Sequence, residues 1–395
     1  MRIRKTLYLD HQATTPIDSR VLAEMAPHHS ESFGNPHSSD HRLGWESAQA
    51  VENAATRVAG LIGADADEII FTSGATESNN LALLGLARRA AGGNRRRVLV
   101  STIEHKCVLA AGRALEEQLG FSVEHIPVDE RGFIEISALE AALDEDVLAV
   151  SIMAVNNEIG TIQDIGALSK IVRSHGCIFH CDAAQAPIAM NMKSFGDYAD
   201  ILSLSGHKMY GPKGIGAAYI ARELQDRIEP LIYGGGQQNG LRSGTLPTPL
   251  CVGMGKAADL LAGNGAEERR AQLRSRRDDF VEKLMGLPWP IAFNGSAGEA
   301  RHPGNANVRF TGFSAHDILG ALQPHVAAST GSACTSGIPE PSHVLQAIGL
   351  TGDESEASVR FSLGFDTSDE DIEEAVGRIE DVLERLSKAD LVRWA

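Results

Sequence analysis

The chain has 395 residues, of which 43% are hydrophobic and 22% are charged, which is ordinary for a globular protein with one large and one smaller domain. Its formal net charge of -16 argues against direct contact with nucleic acid, because the one dense basic run, Arg95 to Arg97, stands at the entry to an apolar segment. Five cysteines without regular spacing argue against a disulfide framework and indicate a reducing, cytoplasmic compartment. We expect no signal peptide before "MRIRKTLYLD" and no membrane span, because no uncharged apolar run is long enough.

From about residue 65, β-rich apolar runs alternate with helical patterns. The predicted strands are 68–73, 98–101, 147–155, 177–182, 200–205 and 214–221, and the predicted helices between them are 75–90, 105–120 and 164–176. Strands that are apolar on both faces and separated by helices predict an α/β fold with a mostly parallel sheet covered on both sides. Ligands bind such sheets at the carboxyl ends of the strands, so the turns after these strands are the expected site.

After about residue 250 the pattern becomes that of a smaller α+β domain. It has amphipathic helices over 267–286 and 368–389 and half-buried strands in "NVRF" and "SVRFSLG". The first fifteen residues, with "LDHQATTP", either return to the active site or pack under the small domain. We therefore predict an N-terminal segment over 1–15, a large domain over 16–255 and a small C-terminal domain over 256–395.

Two charged residues follow neighbouring predicted strands. Lys208, in "SGHKMYGPKGIG", comes after the strand that ends at Ser205, and a partly buried lysine there can form a Schiff base with an aldehyde cofactor. Asp182, in "FHCDAAQA", ends an apolar strand, where a carboxylate is costly unless it is paired. A pyridine nitrogen of pyridoxal phosphate would pair it. Each residue alone also fits a plainer interpretation, a surface lysine in a turn and a helix-capping aspartate.

Three further strand ends add polar groups. In "TSGATESNN", Gly74 allows a tight turn, and Ala75 and Thr76 open a helix whose free N–H groups suit a phosphate. His105 follows the next strand and can stack on a flat ring, and Asn157 lies in "NNEIG" after another. Each pattern is weak alone, but five strand ends in order present a phosphate turn, an aromatic ring, an amide, an acid and a lysine.

One cysteine lies among small residues, in "STGSACTSG" over 329–337. A structural cysteine normally packs among large apolar side chains, whereas glycine, serine and threonine around Cys334 indicate a mobile, accessible loop. Composition alone favours a loop that happens to contain a cysteine.

Taken together, these motifs resemble the bacterial cysteine desulfurases of the NifS/IscS type, enzymes with the class-V aminotransferase fold. The resemblance runs in order from about residue 7 to 388. It is carried by "LDHQATTP", "FGNPHS", "FTSGATESNN", "EHK", "NNEIGTIQDI", "HCDAAQA", "SGHKMYGPKGIG", "LRSGT", "GSACTSG", "EPSHVL" and "VRFSLG". It implies fold type I of the pyridoxal-phosphate-dependent transferases, with a mostly parallel seven-stranded sheet in the large domain and a smaller α+β domain that carries the Cys334 loop.

The resemblance also implies a role for each site residue. Catalysis would fall to Cys334 as nucleophile, to Lys208 as the residue that binds the cofactor covalently, and to His105, which would stack on its ring and shuttle protons. The cofactor's phosphate would be held by Ala75, Thr76, Ser205 and His207, its pyridinium nitrogen by Asp182, and its ring oxygen by Gln185 and Asn157. Asn157 would also contact the substrate, Arg360 would clamp the substrate carboxylate, and Thr245 would reach the cofactor phosphate of a neighbouring subunit in a homodimer.

The implied reaction removes sulfur from L-cysteine, giving L-alanine and a persulfide on Cys334 that passes to an acceptor protein. The expected acceptor is an iron–sulfur scaffold, with sulfur carriers for thio-modification as the alternative. Selenocysteine lysis or transamination would use most of the same residues, and a catalytically silent sulfur-trafficking subunit would keep only the fold. Relatives that serve a general assembly scaffold carry a longer tail than "LVRWA", which leaves docking to such a scaffold open.

The remaining cysteines are interpreted as packing residues. Cys177 and Cys181 share one face of a strand, and Cys251 lies in apolar "PLCVGMG". Cys107 follows His105 on a helix, at a position where similar enzymes often have a small apolar residue, with redox sensing as the alternative. No CxxC pair is present, so we expect no metal.

Overall fold

The computed structural model describes residues 2–331 and 341–393. The strands are β1 (Arg2–Ile3), β2 (Thr6–Tyr8), β3 (Ile69–Thr72), β4 (Arg97–Ser101), β5 (Ser122–Ile126), β6 (Val147–Ser151), β7 (Ile178–Asp182), β8 (Ile201–Ser205), β9 (Gly216–Ile220), β10 (Ile291–Phe293), β11 (Asn305–Phe310), β12 (Val326–Ala327) and β13 (Ser358–Ser362). The α-helices are α1 (Ser19–Met25), α2 (Pro27–Ser30), α3 (Arg42–Ile62), α4 (Ala75–Asn80), α5 (Leu86–Arg89), α6 (Lys106–Leu119), α7 (Ile136–Ala142), α8 (Ile165–Ser174), α9 (Ala186–Ala189), α10 (Phe195–Tyr198), α11 (Thr248–Ala262), α12 (Ala266–Met285), α13 (Ala315–Leu322), α14 (His343–Ala347), α15 (Gly352–Glu356) and α16 (Asp369–Arg393).

Short helical turns complete the list. A π-helical turn, Leu81–Gly85, joins α4 to α5, so the chain is helical without a break from Ala75 to Arg89. Single 3₁₀ turns lie at Ala66–Glu68, Gly206–Lys208, Arg222–Arg227, Gln238–Gly240 and Gly298–Ala300. The turn at Gly206–Lys208 follows β8 directly and places the predicted lysine at the end of that strand.

The central sheet has seven strands in the order β3-β9-β8-β7-β6-β4-β5. β9 runs antiparallel to both of its neighbours, and the other pairs are parallel. The predicted mostly parallel sheet is therefore confirmed. β5 was not predicted from the sequence, because it is an edge strand whose residues "SVEHI" are largely exposed and lack the apolar run of a central strand.

Alternating side chains of the sheet enter two different hydrophobic clusters. Leu99 of β4 packs with the cluster that includes α3, α8 and α11, whereas its neighbours Val98 and Val100 pack with the cluster under the π-helical turn, α5 and α6. Successive side chains of a strand point to opposite faces, so helices on both sides bury the whole strand. This arrangement leaves the strand ends as the place where polar side chains reach solvent.

The C-terminal part has its own sheet and core. β10, β11 and β13 form an antiparallel sheet, against which α12, α13 and α16 pack. The N-terminal strand β2 pairs in parallel with β12, and Leu7 and Leu9 join this C-terminal core. The N-terminal segment thus packs with the C-terminal part, and its following residues enter the site described below. α11 crosses the boundary predicted between residues 255 and 256, and the division into domains stays a prediction.

Within residues 2–331 and 341–393, no helix is both long enough and apolar enough to cross a bilayer.

Candidate active site

A cavity of about 690 Å³ lies at the carboxyl edge of the central sheet. It is lined by ten of the residues predicted from the sequence, namely Ala75, Thr76, His105, Asn157, Asp182, Gln185, Ser205, His207, Lys208 and Arg360. The parallel strands β4, β6, β7 and β8 all end at this edge, which is why residues far apart in sequence meet there. The structure therefore brings together the predicted groups, while their individual roles remain predictions.

One end of the cavity is suited to an anion. Gly74 has a φ of +154°, and a Cβ at this position would project into open space. Since Gly74 offers no capping side chain, the first N–H groups of the helical segment that starts at Ala75 are left for a ligand. Lys213, which was not predicted to be a site residue, lines the same cavity and adds a positive charge.

His207 is a neutral partner at this end. Burial, together with the positive charges of Lys208 and Lys213, lowers the pKa of its ring to about 4. The ring is anchored through Nδ1, which lies 3.1 Å from the hydroxyl oxygen of Thr14 in the N-terminal segment. A neutral imidazole can hydrogen-bond an anion without adding charge to the site.

Asp182 is the acid at the end of β7 and is almost completely buried. One carboxylate oxygen accepts a hydrogen bond from Asn79 Nδ2 at 2.7 Å, and the other accepts from the backbone N–H of Ala184 at 2.9 Å. Each oxygen has a further lone pair, and the side chain lines the cavity. Asp182 is therefore held in place by the protein and still able to accept a proton-bearing nitrogen.

Lys208 faces the cavity from the turn after β8. Its Nζ donates to the carbonyl oxygens of Gln12 at 2.5 Å and Ala13 at 2.8 Å, which hold the amine over the site. Burial lowers the pKa of Lys208 to about 8, and the positive charge of Arg360 acts in the same direction. A substantial fraction of this amine is neutral near pH 8, as a nucleophilic lysine requires.

His105 lines the cavity at the start of α6. Its Nδ1 accepts a hydrogen bond from the backbone N–H of Cys107 at 3.2 Å and so caps the helix. The ring is exposed toward the cavity and enclosed by protein elsewhere, and this partial desolvation lowers the pKa of His105 against the opposing effect of Asp182. The Sγ of Cys107 lies 2.9 Å from Nδ1.

Arg360 reaches the cavity from β13 in the C-terminal part. Its Nη1 donates to the carbonyl oxygen of Asn157 at 2.7 Å, and its Nη2 donates to Asp10 Oδ1 at 2.7 Å and to the Ser329 hydroxyl oxygen at 2.9 Å. The buried Nε has no hydrogen-bond partner among the described residues. Arg360 is thus held at the cavity by neighbours from three separate segments of the chain.

The N-terminal segment forms part of the site, as one of the two predicted alternatives stated. Gln185 Nε2 donates to the carbonyl oxygen of Gln12 at 2.9 Å, and the same carbonyl accepts from Lys208. Gln12 Oε1 in turn accepts from Asn305 Nδ2 at 2.6 Å. The N-terminal segment also packs with the C-terminal core, so it both enters the site and lies against the C-terminal part.

Thr245 lies apart from the cavity of its own chain. It is exposed and does not line that cavity. The preceding turn is firmly attached, because Gln238 exchanges two side-chain hydrogen bonds with the backbone of Phe71, and Arg242 donates to Glu77 at 2.9 Å. The predicted contact of Thr245 with a second subunit stays a prediction.

Cys334 lies outside the described residues, so the structure gives it no position. The residues on either side of that gap do line the cavity, with Ser329 and Gly331 before it and His343 after it. Gly331 is three positions before Cys334, and three residues of extended chain span about 10 Å.

Several residues that line the cavity were not predicted from the sequence to be site residues. These residues are Asp10, Lys106, Glu158, Lys213, Ser329 and His343. The motif "EPSHVL" was available as a signal for His343, whose Nε2 donates to the carbonyl oxygen of Glu104 at 2.9 Å. Ser342 beside it donates to the buried Glu158 at 2.5 Å, so the segment after the gap is tied to the strand ends.

The other cysteines divide into two kinds. Cys177, Cys181 and Cys251 are buried in the hydrophobic core, as predicted. Cys107 was predicted to be a packing residue, with redox sensing as the alternative, and the packing interpretation is incomplete, because Cys107 lines the cavity and contacts His105. The described part of the chain contains no group of three His, Cys, Asp or Glu side chains that could hold a metal ion.

Comparisons with known proteins identify the family of the chain. Residues 7–375 match the family model described as Aminotransferase class-V. The chain is 44% identical over 385 residues, which is 97% of its length, to the cysteine desulfurase IscS of Rickettsia akari (strain Hartford), 92% of which is covered.

Among solved structures, the chain is similar to a NifS-like protein with a TM-score of 0.89 and 34% identity, over 96% of this chain and 99% of that one. It is also similar to SspA, solved in complex with cysteine, with a TM-score of 0.78 and 36% identity over 91% and 99% of the two chains. The resemblance and the fold class predicted from the sequence are both confirmed.

Proposed function

The chain belongs to the class-V aminotransferase family, and we propose that it is a cysteine desulfurase that uses pyridoxal phosphate to take sulfur from L-cysteine. The products are L-alanine and a persulfide on Cys334. The observation that carries the proposal is the cavity itself. Lys208, Asp182 and an anion-binding turn line one part of it, and the residues that precede and follow the Cys334 segment line another.

The donor set of the cavity fits pyridoxal phosphate. The turn at Gly74, with Ala75 and Thr76, offers N–H groups to a phosphate, and Ser205 and His207 lie beside it. Asp182 fits a protonated pyridine nitrogen, because its carboxylate is buried and keeps an acceptor position. When bound, this cofactor supplies an aldehyde for an amine to join and a ring that withdraws electrons from the substrate carbon.

The chain's own side chains hold the substrate and move its protons. Lys208 would hold the cofactor covalently, and when its amine is free the lowered pKa of about 8 makes both the neutral and the protonated form of Nζ available. His105 would hold the cofactor ring and carry a proton at Nε2. Gln185 and Asn157 would hold the ring oxygen, and Arg360 would bind the substrate carboxylate through its guanidinium group.

Cys334 performs the sulfur transfer. Its thiolate attacks the sulfur of the bound cysteine, so an S–S bond forms while the C–S bond of the substrate breaks. The electron pair of the broken bond stays with the carbon, which is then protonated to give alanine. The sulfur remains on Cys334 as a persulfide, and the small residues around it in "STGSACTSG" allow the delivery that follows.

The acceptor we propose is a scaffold protein for iron–sulfur cluster assembly. The active form we propose is a homodimer in which Thr245 of one subunit binds the cofactor phosphate of the other. The exposure of Thr245 and the fixed turn before it support this arrangement. Location in the cytoplasm stays a prediction.

A subunit-mixing experiment tests the dimer. Thr245→Val chains are mixed with inactive Lys208→Ala chains, dissociated and reassociated. A heterodimer then contains one site with both Lys208 and a partner threonine, so activity should rise above that of either variant alone. A mixture that exchanges subunits without any rise contradicts the role of Thr245.

The function is tested by product analysis. The purified full chain, loaded with pyridoxal phosphate, receives L-cysteine and a thiol reductant, and alanine and sulfide are measured. We expect equal amounts of both from the wild type and from Cys251→Ala, and none from Cys334→Ala, with the cofactor absorbance unchanged in all three. A cofactor-loaded wild type that makes neither product contradicts the proposal, and selenide release from L-selenocysteine would then identify a selenocysteine lyase. A chain that cannot be loaded indicates a silent sulfur-trafficking subunit.

A further inference from the structure

We propose that Cys107 is a positioning residue that sets the tautomer of His105, keeping Nδ1 without a proton and the proton on Nε2, toward the cavity. The inference rests on the proposed function, because His105 matters to the reaction only where it faces the cofactor ring. Its test does not depend on turnover.

Two donors from Cys107 meet at one nitrogen of His105. The backbone N–H of Cys107 donates to Nδ1 at 3.2 Å, and the Sγ lies 2.9 Å from the same atom. Desolvation, together with the negative charge of Asp182, raises the pKa of the Cys107 thiol to about 11, so the thiol keeps its hydrogen. A neutral imidazole carries one hydrogen, and with Nδ1 accepting from both donors that hydrogen is on Nε2.

Asn79 fixes the direction of the thiol hydrogen. Its Nδ2 donates to Asp182 Oδ2 at 2.7 Å and also lies 3.2 Å from the Sγ of Cys107. The carboxylate can only accept, so the NH₂ end of Asn79 must face both groups, and the sulfur accepts from it. The side chain of Thr76 also hydrogen-bonds the Cys107 thiol. With Asn79 and Thr76 donating to the sulfur, the thiol hydrogen is available for His105.

The result is a hydrogen-bonded series from Asp182 through Asn79 and Cys107 to His105. It joins three separate elements, the end of β7, the helix α4 and the start of α6. Asn79 and Asp182 are buried, so solvent does not compete for the contact between these two residues. The orientation of the imidazole is thereby linked to the acid that we assign to the pyridine nitrogen.

This arrangement opposes protonation of His105 at Nδ1. A hydrogen on that atom would face the two Cys107 donors and would break both contacts, one of which caps α6. The charged and titratable groups around the ring are Asp182, Lys208 and His343 from other elements and Lys106 from α6 itself. His105 therefore acts as a donor through Nε2, and the movement of protons near neutral pH falls to Lys208.

The test observes His105 directly. The full chain is labelled with ¹⁵N-histidine, with and without pyridoxal phosphate, and the protonation of each ring nitrogen is followed by NMR over a pH series. His105→Gln assigns the signals. In the wild type we expect Nδ1 unprotonated and Nε2 protonated.

Three cysteine variants distinguish the effect of the Cys107 thiol as a hydrogen-bond donor from the effect of its size. Cys107→Ala removes the thiol donor, and we expect the tautomer ratio to move toward Nδ1–H and the proton affinity of His105 to rise, each about fivefold. Cys107→Ser keeps a donor and should resemble the wild type. Cys251→Ala, a buried cysteine outside the cavity, is the matched control and should leave the His105 signals unchanged.

The outcomes are distinct from those of the function test. Identical His105 signals in wild type and Cys107→Ala overturn the inference, and so does a Cys107→Ser chain that shifts as much as Cys107→Ala. A wild type with the expected tautomer that releases no alanine from L-cysteine would instead overturn the proposed function. With the cofactor bound, the circular dichroism of its absorption band should change in Cys107→Ala and not in Cys107→Ser.

Discussion

The two sides of the cavity are built on different principles. One side, the sheet wall, consists of the residues that follow the central strands, chiefly Asp182, Ser205 and Lys208, each fixed by where its strand ends. The other side, the loop wall, consists of Asp10, Ser329, Gly331, His343 and Arg360, which come from the N-terminal segment and the C-terminal part. One cavity is thus shared by a part anchored in a buried sheet and a part assembled from distant segments.

The charges on the two walls are also held differently. Asp182 on the sheet wall is held by a neutral amide and a backbone N–H, so its charge is left for a ligand. Arg360 on the loop wall already forms an ion pair with Asp10 at 2.7 Å. A bound carboxylate must compete with Asp10 for the guanidinium group. We therefore expect the sheet wall to control cofactor binding and chemistry, and the loop wall to control substrate affinity.

The largest effect should come from Lys208→Ala on the sheet wall. Removal of the amine eliminates covalent binding and proton transfer together, so alanine formation should fall by at least about a thousandfold. Lys193→Ala, at an exposed position, is the control and should retain full activity. Substantial activity in Lys208→Ala would show that another group performs this role.

Asp182→Asn should have the next largest effect. The amide cannot stabilise a protonated pyridine nitrogen as a carboxylate does, so kcat should fall by about a hundredfold while KM changes little. The absorbance of the bound cofactor is the second measurement, because it shows that the site is still loaded. An unchanged kcat in a loaded chain contradicts the pairing that we assign to Asp182.

Arg360→Lys tests the loop wall. The ammonium group keeps the charge but loses the forked geometry that reaches Asp10, Ser329 and the Asn157 carbonyl, so we expect KM for L-cysteine to rise about thirtyfold with a smaller change in kcat. If kcat falls and KM stays constant, the separation of the two walls is wrong.

A pH series tests whether Arg360 on the loop wall influences the pKa of Lys208 on the sheet wall. The pKa of Lys208 is lowered to about 8, first by burial and then by the charge of Arg360. The neutral amine is the form that reacts with an aldehyde. The rate at which the cofactor-free chain binds pyridoxal phosphate should therefore rise about tenfold per pH unit below that pKa and level off above it. In Arg360→Gln the plateau should begin at a higher pH, and an unchanged profile would mean that Arg360 does not influence the amine.

The sheet wall was largely predictable from the sequence, and for a physical reason. A strand buried on both faces must be apolar throughout, so the first polar residue after it, such as Asp182 or Lys208, is visible in the sequence and lies at a known edge. β5 was missed because an edge strand is not required to be apolar on both faces.

The loop wall and the contacts between walls were less predictable. The hydrogen bonds from Lys208 to Gln12 and Ala13 join residues almost two hundred positions apart, and no local pattern encodes such a contact. The position of Cys107 beside His105 follows from helix capping, because the backbone N–H of the residue two positions after an N-cap donates to the side chain of the N-cap residue. That signal was present in "EHKC", but a cysteine is usually a packing residue, and the sequence alone favoured that interpretation.

The most direct test of the central claim is the mass of the peptide that contains Cys334. The cofactor-loaded chain receives L-cysteine without a reductant and is digested after one turnover, while alanine is measured in parallel. We predict one extra sulfur atom on Cys334 and one alanine per active site. Extra sulfur on Cys107, or alanine formed while Cys334 carries no added sulfur, would contradict this account.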